Sequence, residues 1–209
     1  SFTLKNYRSF VERTTIELRP LTLLFGYNNS GKSALLRALP LIADSLGGAQ
    51  STPIEMRSAS VRGCHFGDLL SRISGGQTLE IELLLNNPYR LKWTFFDQPK
   101  SKSHVISRFS MQDANNHLLL DAQWAAKPEK QHQDVYVVQW YDTPPQEVIL
   151  LFSGLLPAWE LLEGELAKTD SKWVEYFSKL RETKLFEEFK TLQKLFTRVQ
   201  WLSTVRTLP

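Results

Sequence analysis

Gly26-Tyr27-Asn28-Asn29-Ser30-Gly31-Lys32-Ser33 is the stretch of this chain whose residue types and spacing could do chemistry. It satisfies G-x-x-x-x-G-K-[ST] at every fixed position. A loop of this kind curls its backbone around a diphosphate, with successive N–H groups pointing inward. Glycine permits the backbone angles and the close approach. Lys32 brings a positive charge to the β and γ phosphates and is the candidate catalytic residue. Ser33 offers a hydroxyl to Mg²⁺. Asn28, Asn29 and Ser30 contribute through backbone more than side chain, and Ala34 completes the expected phosphate-binding set. The competing reading is a polar tight turn with no ligand.

A phosphate loop must lie between a buried strand and the start of a helix, whose partial positive end then faces the anion. "LTLLF", residues 21–25, is an apolar run expected to form a strand covered on both faces. After the loop, Leu35, Leu36, Leu39, Ile42 and Leu46 recur at helical spacing, with Pro40 as a kink or early stop. Upstream, the alternation at 2–5 and 15–18 predicts two short strands joined by "NYRSFVERT". Residues 54–70 carry a weak pattern, with "HFGDLL" entering a short helix. "TLEIELLL", "YRLKWTFF", "HVISRFSM", "HLLLDAQW" and "VYVVQW" then read as an antiparallel meander, not as βαβ units. From Glu147 onward the pattern reads as helical. Trp173, Phe177, Leu180, Phe189, Leu192, Phe196 and Val199 mark an apolar stripe on one helix, or two joined near Thr183; packing against its own domain is the simplest account, and a partner-binding or dimer helix the alternative.

The chain has 209 residues, 42% hydrophobic and 22% charged, enough to build a sizeable core. Its net charge of +3 is too small to argue for nucleic acid by itself. Cys64 is the sole cysteine, so no intrachain disulfide can form, and a reduced, cytoplasmic setting is expected. No apolar run reaches membrane-spanning length, so no membrane partner is expected. The chain opens directly on a strand pattern and closes directly after a helical one, which reads as two cuts in a longer protein.

"LKNYRSF" followed by "IELRPLTLLFGYNNSGKSALLRAL" resembles the opening of ATP-binding-cassette ATPases of the SMC/RecF type, and most closely the OLD-like branch. The resemblance covers residues 2–40 strongly and extends weakly to "HFGDLL". It implies an α/β P-loop NTPase fold: the N-terminal lobe of an ABC-type head with an antiparallel β layer and a C-terminal helical insertion. On that basis residues 1–146 form the lobe, 147–202 the insertion, and 203–209 the re-entry into the head, with Arg206 a weak further candidate. The implied ligands are ATP and Mg²⁺. The implied partners are a second copy, or a higher oligomer, sandwiching ATP between heads, a nuclease or other effector, and DNA, in phage defence or genome maintenance. Arg8 matches a position often near the phosphates or adenine, and Gln77 is a candidate Mg²⁺-sensing glutamine.

"ISGGQ" at 73–77 imitates a cassette signature, but the strand pattern that follows at once favours a Gly-Gly turn entering a hairpin. No apolar strand in the sequence ends in Asp-Asp or Asp-Glu, and Glu187-Glu188 belongs to the solvated side of the helical stripe. The resemblance implies that these missing parts lie after Pro209. Two functions follow: a hydrolysing head that switches an assembly, or an ATP-dependent scaffold subunit with little turnover. A small-molecule kinase is disfavoured, because the β-rich segment lacks βα alternation.

Overall fold

The computed structural model describes residues 1–158, except 29, 48–51, 62, 86–88, 99–102, 126–133 and 141–143, and, beyond them, Lys194. Eight strands form one antiparallel sheet. In chain order they are β1 (Phe2–Lys5), β2 (Thr14–Ile16), β3 (Thr78–Leu84), β4 (Arg90–Gln98), β5 (Ser103–Gln112), β6 (Leu118–Trp124), β7 (Val135–Trp140) and β8 (Gln146–Ile149). The spatial order is β2-β1-β3-β4-β5-β6-β7-β8, so the meander from β3 to β8 is unbroken and β1 joins its edge. One α-helix, α1 (Lys32–Gly47), stands among the described residues.

Alternation along each strand sets the two faces of the sheet. Leu4, Ile81, Trp93, Phe109, Ala122 and Val138 lie directly opposite one another across six strands. Phe2, Leu83, Leu91, Met111, Leu120 and Trp140 make a second such row. Both rows are buried. Leu35, Ile42 and Leu46 of α1 share the same core as the helical spacing predicted, but Leu39 is only partly buried and Leu36 faces solvent, with Ala38 and Leu41 in the core instead. Pro40 lies inside α1 and does not stop it.

The other face is polar and paired. Glu80 holds Lys5 at 3.1 Å and Lys92 at 2.8 Å, and Glu82 holds Arg13 at 2.6 Å. Arg108 meets Asp121 at 2.8 Å on the neighbouring strands. These cross-strand pairs keep register by making a one-residue slip place charges in the core.

Two loops lock the helix to the sheet. The Ser45 hydroxyl accepts from Glu55 N at 2.9 Å, and the Ser58 hydroxyl donates to Asp44. His104 Nε2 accepts from Ile54 N at 2.9 Å, with its ring stacked 4.5 Å from Phe66. Phe66 opens the short 3-10 turn Phe66–Leu69 where "HFGDLL" was expected to become helical.

Two expectations fail. Residues 21–25 form no strand, and Leu21, Leu23 and Phe25 are 76%, 64% and 86% exposed. A strand needs a ladder partner. Pro20 has no N–H to give one, and Arg19 N bonds Thr22 Oγ1 at 3.1 Å in a local turn instead of a ladder. Leu24 alone of this run packs against the core. The helical reading from Glu147 fails over its first part, because Glu147 sits in β8 opposite Val137. Past β8, the strands β9 (Phe152–Ser153) and β10 (Leu156–Pro157) form a hairpin, turned at Gly154 with φ +61°. Leu155 N bonds Ser45 O of α1 at 3.2 Å, and Trp93 Nε1 bonds Leu155 O at 2.7 Å. The remaining insertion residues and 203–209, Arg206 included, lie outside the described residues apart from Lys194, which is helical.

Candidate functional site

The loop read from the sequence is curled and stands at the head of α1. Gly31 has φ +90° and Gly26 φ +152°, both outside the range comfortable for L side chains. Ser30 N bonds Tyr27 O at 3.2 Å, closing a turn, and Leu35 N bonds Gly31 O at 2.9 Å, opening the helix. Lys32 is the first residue of α1, and Ser33 and Ala34 follow in its first turn. Free N–H groups and the positive end of the helix dipole therefore face the loop. Asn28 lies in the turn, Tyr27 is 92% exposed, and Asn29 is outside the described residues.

Lys32 folds back over its own loop. Its Nζ donates to Gly26 O at 2.5 Å, Tyr27 O at 2.6 Å and Ser30 Oγ at 3.3 Å. Three acceptors satisfy the three ammonium hydrogens and hold the charge at the concave side of the turn. Gly26 is needed for this closeness: a Cβ there would lie 2.9 Å from Ser30 Oγ and 3.9 Å from Lys32 Nζ. Left-handed glycines, an ammonium drawn inward and a helix N-terminus fit a phosphate chain. Ser33, exposed at the same helix start, fits a Mg²⁺ ligand.

Arg8 belongs to a tight turn pressed against this loop. Asn6 and Arg8 are both left-handed, with φ +57° and +48°. Tyr7 N bonds Phe10 O at 2.9 Å, Phe10 N bonds Tyr7 O at 2.8 Å, and Arg8 N bonds Leu69 O at 2.8 Å. A Cβ on Gly31 would collide with Ser9 Oγ and come within 3.2 Å of Phe10 Cζ. The Arg8 guanidinium lies 5.9 Å from the Tyr7 ring centre, and its Nε is buried without a hydrogen-bond partner. Burial pushes the Tyr7 phenol above its ordinary pKa, against the pull of the Arg8 and Arg37 charges.

Gln77 occupies the exposed loop before β3, where its backbone carbonyl accepts from Asp97 N at 2.9 Å. The residues that touch the phosphate loop are instead Ser9 and Phe10. Sequence reasoning did not single them out, nor Asn6. The available signal was local: an Asn just after a strand, a residue that tolerates left-handed backbone. "ISGGQ" is a turn with Gly75 at φ +62°, entering β3 at Thr78, as the hairpin reading required.

The loop is curled, its lysine is drawn inward and a helix opens at that lysine, as a phosphate loop requires, but the buried strand expected before it is not formed. A family profile describing an AAA ATPase domain matches residues 1–198, nearly the whole chain. The chain belongs to that AAA ATPase domain family, which accounts for nucleotide binding and ATPase chemistry as its general class. No curated protein and no solved structure matches it significantly. No described helix is long and apolar enough to cross a membrane.

Proposed function

We propose that the chain binds Mg–ATP through Gly26–Ala34 and serves as the nucleotide-binding part of an SMC/RecF/OLD-type head. The observation that carries this reading is the Lys32 ammonium, held on the concave side of its loop by Gly26 O and Tyr27 O at the start of α1. Lys32 neutralises the phosphate chain, the 30–34 amides bind its oxygens, and Ser33 ligates the metal. Mg²⁺ supplies further charge neutralisation on the phosphates. Arg8, beside the loop, adds a second cation on the flank formed by Ser9 and Phe10.

Hydrolysis also requires a group that orients water. The sequence has no apolar strand ending in an acidic pair. The resemblance favours a second head, closing over the γ-phosphate, as the source of that group. ATP would then join two copies and its hydrolysis release them, controlling a nuclease or other effector, or DNA, in phage defence or genome maintenance. The same missing acid favours, as a second reading, a scaffold that assembles on ATP with little turnover.

Titration calorimetry with Mg–ATP tests the core reading. Wild-type protein binds, and Lys32→Ala binds at least about 30-fold more weakly, the effect of losing a charge-assisted contact. Equal affinity of the two proteins would sink it. Measuring turnover and mass by light scattering in the same samples separates the readings. The 209-residue chain alone is expected to show very slow turnover. ATP-dependent assembly without turnover in the complete assembly selects the scaffold.

A further inference from the structure

We propose that Asn6 is a positioning residue that ties the phosphate loop to the Ser71–Thr78 loop, so that nucleotide at one is felt at the other. The proposal rests on the P-loop reading above and extends it to a second surface.

The Asn6 side chain uses its full hydrogen-bonding capacity on that loop. Its Nδ2 donates to Gly76 O at 3.2 Å and to Thr78 O at 2.5 Å. Its Oδ1 accepts from Ser71 N at 3.3 Å and from the Ser74 hydroxyl. Two donors and two acceptor sites are all an amide has. Gly76 makes room for this contact, since a Cβ there would lie 3.1 Å from Asn6 Nδ2.

The Asn6 carbonyl also accepts from Ser71 N at 3.3 Å, and beyond it the backbone turns towards the phosphate loop. At φ +57° it starts the turn whose next residues, Ser9 and Phe10, press on Gly31. That turn is closed by reciprocal Tyr7–Phe10 backbone bonds and anchored by Arg8 N on Leu69 O. It is too short and too fully bonded to absorb a shift of Gly31 internally. A displacement at Gly31 therefore reaches Asn6, and through its amide the four groups it holds. The loop so addressed exposes Ile73, 82% accessible, with Arg72 beside it.

Hydrogen–deuterium exchange on the full chain, with and without saturating Mg–ATPγS, tests the link. In wild-type protein nucleotide slows exchange in both the 26–35 and the 71–78 segments. Protection confined to 26–35 overturns the proposal. Asn6→Gly keeps the left-handed backbone and removes the amide. It is expected to retain protection at 26–35, lose the response at 71–78 and bind nucleotide roughly tenfold more weakly. A 71–78 response that survives with unchanged affinity overturns the proposal. Should Asn6→Gly fail to fold, Ser74→Ala decides, with the 71–78 response at least roughly halved at unchanged melting temperature. An unaltered response in that variant overturns the proposal. If wild-type protein shows no binding and no protection at 26–35, the phosphate-loop reading itself is wrong, and the proposal falls with it.

Discussion

At Gly31 backbone angle and packing coincide, and this decides how the loop tolerates change. Its φ of +90° disfavours any side chain, and Ser9 and Phe10 already occupy the space a Cβ would need. Gly31→Ala should cost about 2–4 kcal/mol in urea denaturation, combining strained backbone with a forced shift of the turn. It should also weaken Mg–ATP binding. Gly63→Ala is the control: it too is left-handed, at φ +71°, but has nothing within 4 Å of the added carbon. It should cost only about 1 kcal/mol and leave nucleotide binding intact. The glycine, lysine and serine spacing was legible in the sequence because local backbone chemistry demands it. The contact between residues 9–10 and residue 31 was not, because nothing in either segment names the other.

Among the elements, the meander was legible because period-two alternation survives in five successive strands. Trp93 stands at its centre, opposite Ile81 and Phe109, with its indole N–H on Leu155 O. Trp93→Ala should lower unfolding free energy by about 3–5 kcal/mol, from lost burial and a cavity. Trp93→Phe should cost less, though it leaves the Leu155 carbonyl without its donor. Denaturant titration of both variants checks the order. Two apolar runs misled. "LTLLF" looks like a buried strand, but a strand exists only by pairing, and no described strand flanks it. "EVILLF" admits helix or strand by composition alone. The pairing of Glu147 and Ile149 with β7, and the tight turn at Gly154, decide for strand.

Across the whole molecule, pH stability follows from His104. It is 3% exposed, and burial pushes its pKa down to about 4 from an ordinary 6.5. The unfolded chain therefore binds a proton between those values that the folded chain refuses. Stability from this group is complete above about pH 7 and falls as pH drops from 6.5 towards 4, by on the order of 3 kcal/mol. Glu80 acts lower. Burial raises its pKa, but hydrogen bonds from Lys92 and Lys5 outweigh that and hold it below the usual range. Its contribution is lost only as pH falls below the normal carboxylate value. Thermal melts from pH 7.5 to 4.5 should show the first slope, and His104→Gln should flatten it. Ligand linkage works at the same scale. Mg–ATP at about 100 times its Kd should add about 2.7 kcal/mol to stability, and Lys32→Ala, about 30-fold weaker, should cut that gain to about 0.9 kcal/mol or less.

The order of residues alone determined the curled glycine loop, the helix behind it and the alternating strands, because each depends on neighbours within a few positions. Tertiary structure decided three things. It left 21–25 unpaired, made strands of 146–149, 152–153 and 156–157, and brought Ser9 and Phe10 to the loop. Each depends on which distant backbone supplies the missing hydrogen bond or fills the adjoining space, and local pattern carries no record of that.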